Sequence, residues 1–262
     1  MKGESNILNI ASVQTNLVWE NAVANRQTIA VALNGIKYNP DVIVLPEAFS
    51  TGFSMNAKKV AESMDGETVK WMQILAKQYN CAICGSLFIN ENNKYYNRFV
   101  WVDELGNLQK YDKRHLLSMG EEHDNYMPGE EQVLINYKGW MIFPQICYDL
   151  RFPVWSRNTF GYDLLINVAN WPAPRRKVWK TLLKARAIEN QCYVVGVNRV
   201  GADGNHIGYS GDSMIVNYKG EIMNKADAEE GISNVQLDKE ALQSFRSRFD
   251  TLKDADLFSI QF

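Results

Sequence analysis

Cys147 follows an apolar run, Trp140-Met141-Ile142-Phe143, and precedes Tyr148-Asp149-Leu150-Arg151-Phe152-Pro153. The run reads as a buried strand and the change of character after it as a corner, with Trp155 to Phe160 continuing as a short helix. A thiol at a strand-to-helix corner is lifted out of the sheet, beside the free backbone N–H groups of the next turn. Such groups can hold the oxyanion of acyl transfer, so Cys147 is the candidate nucleophile. A thiol is only slightly ionised at neutral pH and needs a base or a nearby cation. Histidine is the usual partner, but His115, His123 and His206 stand in no recognisable Cys–His signature.

Other groups stand at strand ends. Glu47 closes Leu45-Pro46-Glu47 after the apolar stretch Val42-Ile43-Val44, where active sites of α/β proteins form. Taken alone it reads equally as a surface acid that ends a strand. Lys113 lies in Tyr111-Asp112-Lys113-Arg114-His115-Leu116, again just after a strand. An ammonium beside Cys147 favours thiolate and stabilises a developing oxyanion. A lysine in a charged run is otherwise a solvated face, and Glu122, in Gly120-Glu121-Glu122-His123, carries the same plain reading.

The elements that would position these groups alternate along the chain. Ile7 to Gln14, Asp41 to Pro46, Asn80 to Phe88, Trp140 to Ile146, Tyr162 to Val168 and Cys192 to Asn198 read as strands. Trp19 to Ile36, Glu67 to Tyr79 (capped by Asp65) and Lys177 to Asn190 read as helices. Asn97 to Val102 with Leu108 to Tyr111, and Ser213 to Tyr218 with Glu221 to Met223, read as hairpins. Asp41-Val42-Ile43-Val44-Leu45 and Asp163-Leu164-Leu165-Ile166-Asn167 look alike, a weak sign of an internal repeat. No linker or low-complexity stretch interrupts the pattern, so a single domain over residues 1–262 with an α/β layered architecture of mixed sheets is expected.

Composition narrows the function classes. The 262 residues are 46% hydrophobic and 22% charged, with 28 basic against 30 acidic side chains and a net charge of -2. That balance has none of the basic excess of a nucleic-acid binder. No apolar run approaches membrane-spanning length, and the polar start Met1-Lys2-Gly3-Glu4-Ser5-Asn6 has no leader-like core. With only four cysteines the expected compartment is the reducing cytoplasm. Cys81-Ala82-Ile83-Cys84 has redox spacing but lies in a strand, whose alternation sends the two thiols to opposite faces.

Leu-Pro-Glu after one strand, Tyr-x-Lys-x-His-Leu after a hairpin and Cys-Tyr-Asp-x-Arg-Phe-Pro after another strand occur in that order. Together they resemble the nitrilase (carbon–nitrogen hydrolase) superfamily, from Ile10-Ala11-Ser12-Val13-Gln14 to the hairpin ending at Met223. The resemblance implies a four-layer α-β-β-α sandwich, two mixed sheets between helices, and homodimers or higher homo-oligomers. It implies a triad of Glu47 as general base, Lys113 and Cys147, with Glu122 as a second glutamate. Lys113 and the Tyr148 N–H would hold the oxyanion, and no metal or organic cofactor would be needed. Asp149 and Arg151 would brace the corner.

The second half is similar to the bacterial omega-amidases of that superfamily, on Ala169-Asn170-Trp171-Pro172-Ala173-Pro174-Arg175, Ala185-Arg186-Ala187-Ile188-Glu189-Asn190-Gln191 and Tyr209-Ser210-Gly211-Asp212-Ser213. This implies hydrolysis of the terminal amide of small 2-oxo acids such as 2-oxoglutaramate, beside glutamine transamination and methionine salvage. The carboxylate of a 2-oxo acid calls for a guanidinium. Arg175 is the first choice and Arg176 the fallback, with Trp171 and Phe53 as walls of the pocket. The competing readings are a related hydrolase of another small amide, an N-carbamoyl compound, a nitrile or deaminated glutathione; a non-catalytic binding protein on the same scaffold; and a dithiol protein using Cys81 and Cys84.

Overall fold

The computed structural model describes residues 5–36, 38–226 and 228–261; the polar start at Met1–Glu4 lies outside them. In chain order the first half runs β1 (Ile7–Gln14), α1 (Ala22–Leu33), β2 (Val42–Val44), α2 (Ala57–Val60), α3 (Glu67–Tyr79), β3 (Ala82–Glu91), β4 (Lys94–Val102) and β5 (Leu108–Asp112). The middle holds α4 (Glu122–Asn125), β6 (Ile135–Tyr137), β7 (Trp140–Ile146), α5 (Pro153–Ser156), β8 (Leu164–Ala169), α6 (Arg176–Glu189) and β9 (Tyr193–Asn198). The last part holds β10 (Val200–Ala202), β11 (Gly208–Ser210), β12 (Met214–Val216), β13 (Ile222–Lys225), β14 (Gly231–Asp238) and α7 (Lys239–Arg248).

Two six-stranded sheets form, in the orders β14-β1-β2-β3-β4-β5 and β13-β12-β9-β8-β7-β6. Each has three parallel strands at its heart, β1-β2-β3 and β7-β8-β9, flanked by antiparallel ones. Strand alternation sorts the side chains into layers. Val42 and Val44 of β2 meet Ile166 and Val168 of β8 in a core between the sheets. Ile43, between those two valines, turns outward to Ile29 and Leu33 of α1 and to Val69 and Met72 of α3. Leu165 of β8 likewise turns outward, to Trp179 and Leu183 of α6. The result is the α-β-β-α sandwich.

The resemblance of the two Asp-led strands is structural. Asp41 enters β2, its carboxylate accepts the Asn9 N–H and its carbonyl accepts the Ala82 N–H. Asp163 enters β8, its carboxylate accepts the Met141 N–H and its carbonyl accepts the Tyr193 N–H. Each aspartate thus fastens the middle strand of a parallel trio to both neighbours. Cys84 faces the inter-sheet core while Cys81 faces the helices, as alternation requires, and no disulfide joins them. Among the described residues no helix is long and apolar enough to cross a membrane.

Some boundaries differ from expectation. The first helix starts at Ala22, where the Asn21 side chain accepts the Ala24 N–H, and closes at Leu33. Gly66, not Asp65, is the N-cap of α3, with no side-chain cap bond. The short helix after the corner is Pro153–Ser156 and not Trp155–Phe160, because proline suits the first turn of a helix. The edge strand β14 and helix α7 carry no strong apolar run. Their place is set by pairing along the whole of β1 and by two cations, Lys239 and Arg246, on Asp163.

Candidate active site

Glu47 stands just past the end of β2, and Cys147 directly at the end of β7, so equivalent strand ends of the two sheets bring the carboxylate and the thiol together. Cys147 has φ of 45°, a left-handed conformation that a non-glycine residue adopts only when its surroundings enforce it. The enforcement is visible in Asp149. Its buried carboxylate accepts the Ile146 N–H, the Tyr111 hydroxyl at 2.8 Å and both the backbone N–H and ring Nδ1 of His115. Asp149 therefore ties the corner to the segment that carries Lys113. The bracing role expected of it holds.

Lys113 follows β5, and its backbone is clamped on both sides. Its N–H donates to the Asn97 carbonyl, and its carbonyl accepts the Gly129 N–H at 2.8 Å. A Cβ at residue 129 would lie 2.1 Å from the Asp112 carbonyl oxygen, so only glycine allows this approach. The Lys113 ammonium is fully buried and bonds Glu47 Oε1 at 3.1 Å and both Glu122 oxygens at 2.9 Å. Glu122 Oε2 also accepts the Leu117 N–H, fixing the turn that leads to the cavity rim. The four sequence-predicted groups Glu47, Lys113, Glu122 and Cys147 are thus brought together.

Both carboxylate oxygens of Glu47 accept hydrogen bonds. Oε1 takes Lys113 and Asn97 Nδ2, and Oε2 takes the Asn170 N–H at 2.6 Å. Burial, then the negative Glu47, push the Cys147 thiol well above its ordinary range, and Lys113 only partly opposes them. The expected thiolate-favouring effect of Lys113 is present but outweighed. A sulfur held toward the thiol form needs a base to take its proton before it can attack. Burial would lower Lys113, yet Glu122 and then Glu47 carry it upward, so it stays an ammonium. Burial raises Glu122, against the pull of Lys113.

Glu47, Lys113 and Cys147 open onto a cavity of about 510 Å³, a size that suits a small molecule. Phe53, Tyr148, Trp171 and Arg175 line it, as expected. Phe53 lies under the Lys113 ammonium at 4.9 Å. Tyr148 follows Cys147 in the first turn of a 3₁₀ helix, Cys147–Arg151, where N–H groups have no partner within the helix. Arg176 turns away and forms a two-pronged pair with Asp212 at 2.9 Å, so it does not reach the cavity.

Arg151 lines the cavity, with its guanidinium over the Trp171 ring at 4.9 Å and the Tyr148 ring at 5.9 Å. Among the described residues no carboxylate pairs with it. Sequence reasoning gave it only a bracing role, because arginine four residues past the nucleophile looks like part of the corner. Asn97 and Asn170 were missed as well. Asn97 shares the inward face of β4 with Phe99 and Trp101, and a polar residue on a core face was the available signal.

A family model described as carbon–nitrogen hydrolase matches residues 9–247. The chain is 46% identical over 254 residues to the omega-amidase YafV of Escherichia coli (strain K12), covering 97% of this chain and 98% of that one. It is 34% identical over 219 residues to the 2-oxoglutaramate amidase of Bacillus subtilis (strain 168), covering 82% and 84%. Among solved structures it is similar to XC1258 from Xanthomonas campestris, a CN-hydrolase superfamily protein with an arsenic adduct in its active site. That similarity has a TM-score of 0.95 and 41% identity, covering 97% of this chain and 99% of the other. With this match across nearly its whole length, and with the α-β-β-α sandwich beneath it, the chain belongs to the carbon–nitrogen hydrolase family.

Proposed function

We propose that this protein is an omega-amidase that hydrolyses the terminal amide of small 2-oxo acids, with 2-oxoglutaramate as the reference substrate. The observation that carries the reading is a thiol, Cys147, a carboxylate, Glu47, and the buried ammonium paired with it, Lys113, lining one cavity that also presents Arg151 and Arg175. The relatives named omega-amidase and 2-oxoglutaramate amidase support the choice of substrate.

The chemistry balances without an outside reagent. Glu47 takes the thiol proton as the Cys147 sulfur bonds to the amide carbon. Lys113 and the Tyr148 N–H hold the oxyanion that forms. The C–N bond then breaks, Glu47 passes its proton to the nitrogen, and ammonia leaves a thioester behind. Glu47 next takes a proton from water, whose oxygen bonds to the acyl carbon, and the sulfur departs and recovers that proton. One amide and one water become one acid and one ammonia. Glu122 fixes the Lys113 ammonium and keeps it charged.

The test is ammonia release from 2-oxoglutaramate, with Cys147→Ala as control. Release well above the control is expected. Equal release would remove the assignment, and turnover of a different amide in a substrate panel would move it to another member of the class.

The substrate carboxylate is assigned to Arg175, which lines the cavity together with Arg151. Arg175→Lys replaces a planar fork by a point charge. The Michaelis constant is expected to rise about tenfold or more, in line with one charged hydrogen bond, with kcat little changed. An unchanged Michaelis constant would take Arg175 out of the site, and the same change at Arg151 would then identify the carboxylate's partner.

A further inference from the structure

Helix α6 buries Trp179, Leu183, Arg186 and Ala187, so an arginine occupies a place in an otherwise apolar stripe. Arg186 is 3% exposed. One arm of its guanidinium pairs with Glu189 at 2.6 Å, and that carboxylate is 34% exposed. The other arm donates from Nη2 to the Leu150 carbonyl at 2.7 Å, in a buried setting. That carbonyl calls for an outside donor. In a 3₁₀ helix a carbonyl is bonded by the N–H three residues on, and three residues past Leu150 stands Pro153, which has no N–H. A cation in an apolar layer is costly to bury. Here it closes the short helix that begins at Cys147.

We propose that Arg186 is a positioning residue: through the Leu150 carbonyl it holds the Cys147–Arg151 turn so that the thiol, the Tyr148 N–H and the Arg151 guanidinium stay in register at the cavity. The inference rests on the acyl-transfer reading above. The turn has two sides. Cys147, Tyr148 and Arg151 line the cavity, while Asp149 and Leu150 are buried. Asp149 anchors one flank to Tyr111 and His115, which bracket Lys113 in the chain. Leu150 packs into the apolar layer that holds Trp179 and Leu183, and Arg186 fixes the rotation of its peptide. The Leu150 carbonyl and the Arg151 N–H belong to one planar unit, so a bond to the first orients the second. Arg175 is the N-cap of the same helix α6. One helix thus carries the guanidinium assigned to the substrate carboxylate at its start and the grip on the Cys147 turn near its end. A misplacement of about 1 Å between reacting groups can cost about 100-fold in rate.

The test is single-turnover ammonia release from 2-oxoglutaramate, with enzyme in excess and well above the Michaelis constant, so that the rate constant does not depend on the folded fraction. Arg186→Met keeps most of the stem and removes both bonds. Its rate constant is expected to fall about 10- to 100-fold, with the Michaelis constant moved less than about threefold. Arg186→Lys returns one donor and should recover part of this, leaving a loss of about 3- to 10-fold. Glu189→Gln removes the ion pair and keeps the carbonyl bond; it is expected to stay within about twofold of the wild type, since a part-exposed pair contributes little. A wild-type rate constant in Arg186→Met would overturn the proposal. So would a lysine variant no faster than the methionine one, or a fall in Glu189→Gln as large as in Arg186→Met. Should Arg186→Met fail to fold, Arg186→Lys decides, and a rate constant equal to the wild type's would overturn the proposal. Absence of ammonia release by the wild type from 2-oxoglutaramate and from every amide of the substrate panel would instead reject the acyl-transfer reading, and the inference with it.

Discussion

Glu47→Gln is expected to cut amide turnover about 10³-fold or more while the protein remains folded, because the proposed general base and general acid are lost together. The structural cost is limited but real. Glu47 is an acceptor on both oxygens, to Lys113 and Asn97 on one and to the Asn170 N–H on the other. Glutamine has one such oxygen, so its NH₂ must face a donor whichever way it turns. The expected loss of stability is about 1–3 kcal/mol, the cost of one unmet buried group. The residual rate carries the sharper signature. Without a base in contact, only ionised Cys147 can attack, and burial keeps that thiol above its ordinary range. Residual activity should then climb with pH, about tenfold per unit, well into the alkaline region. Turnover near that of the wild type with a flat pH profile would reject Glu47 as the base.

The parts of this site that were legible in sequence are those fixed by covalent order. Cys147 and Glu47 each close an apolar strand, and a strand end is readable from where the apolar run stops. Lys113 follows a hairpin that alternation also marks. The residues that complete the electrostatics come from elsewhere in the fold. Asn97 lies in the middle of β4 and reaches Glu47 across 50 positions of sequence; Asn170 reaches it across 123. Nothing local distinguishes such side chains from ordinary polar ones. The choice between Arg175 and Arg176 was likewise invisible, since one helical step decides which of them meets Asp212. The helix boundaries that slipped, at Ala22 and at Pro153, were decided by caps and first-turn geometry. The edge strand β14 escaped because its burial is intermittent, and its register is dictated by β1 rather than by its own sequence.

Lys113→Met is the change expected to damage both stability and activity most. The lysine neutralises two buried carboxylates at once, Glu47 and Glu122. Removing one partner of a buried ion pair typically costs about 3–5 kcal/mol, because the remaining charge stays desolvated. Here two like charges remain, both bonded to the same Asn97 amide group. The loss should depend on pH in a definite direction. Burial and Glu47 already raise Glu122, and without the ammonium it rises further. A group raised on folding favours the folded state below its unfolded value, near about 4.3 for glutamate, and that advantage is lost as pH climbs through the folded value. The variant should therefore lie close to the wild type in stability at about pH 4 and fall behind it toward neutrality. The wild type should fall less, because the ammonium beside Glu122 opposes its rise and the raised Lys113 stays charged below its unfolded value of about 10.4. Denaturant melts across that range read the difference. Adding Glu122→Gln to Lys113→Met removes one of the two stranded charges and should restore much of the neutral-pH stability. It should restore none of the turnover, since the cation proposed to hold the oxyanion is still missing. If stability and turnover returned together, Lys113 would be a counter-ion for Glu122 and nothing more, and the oxyanion would need another donor.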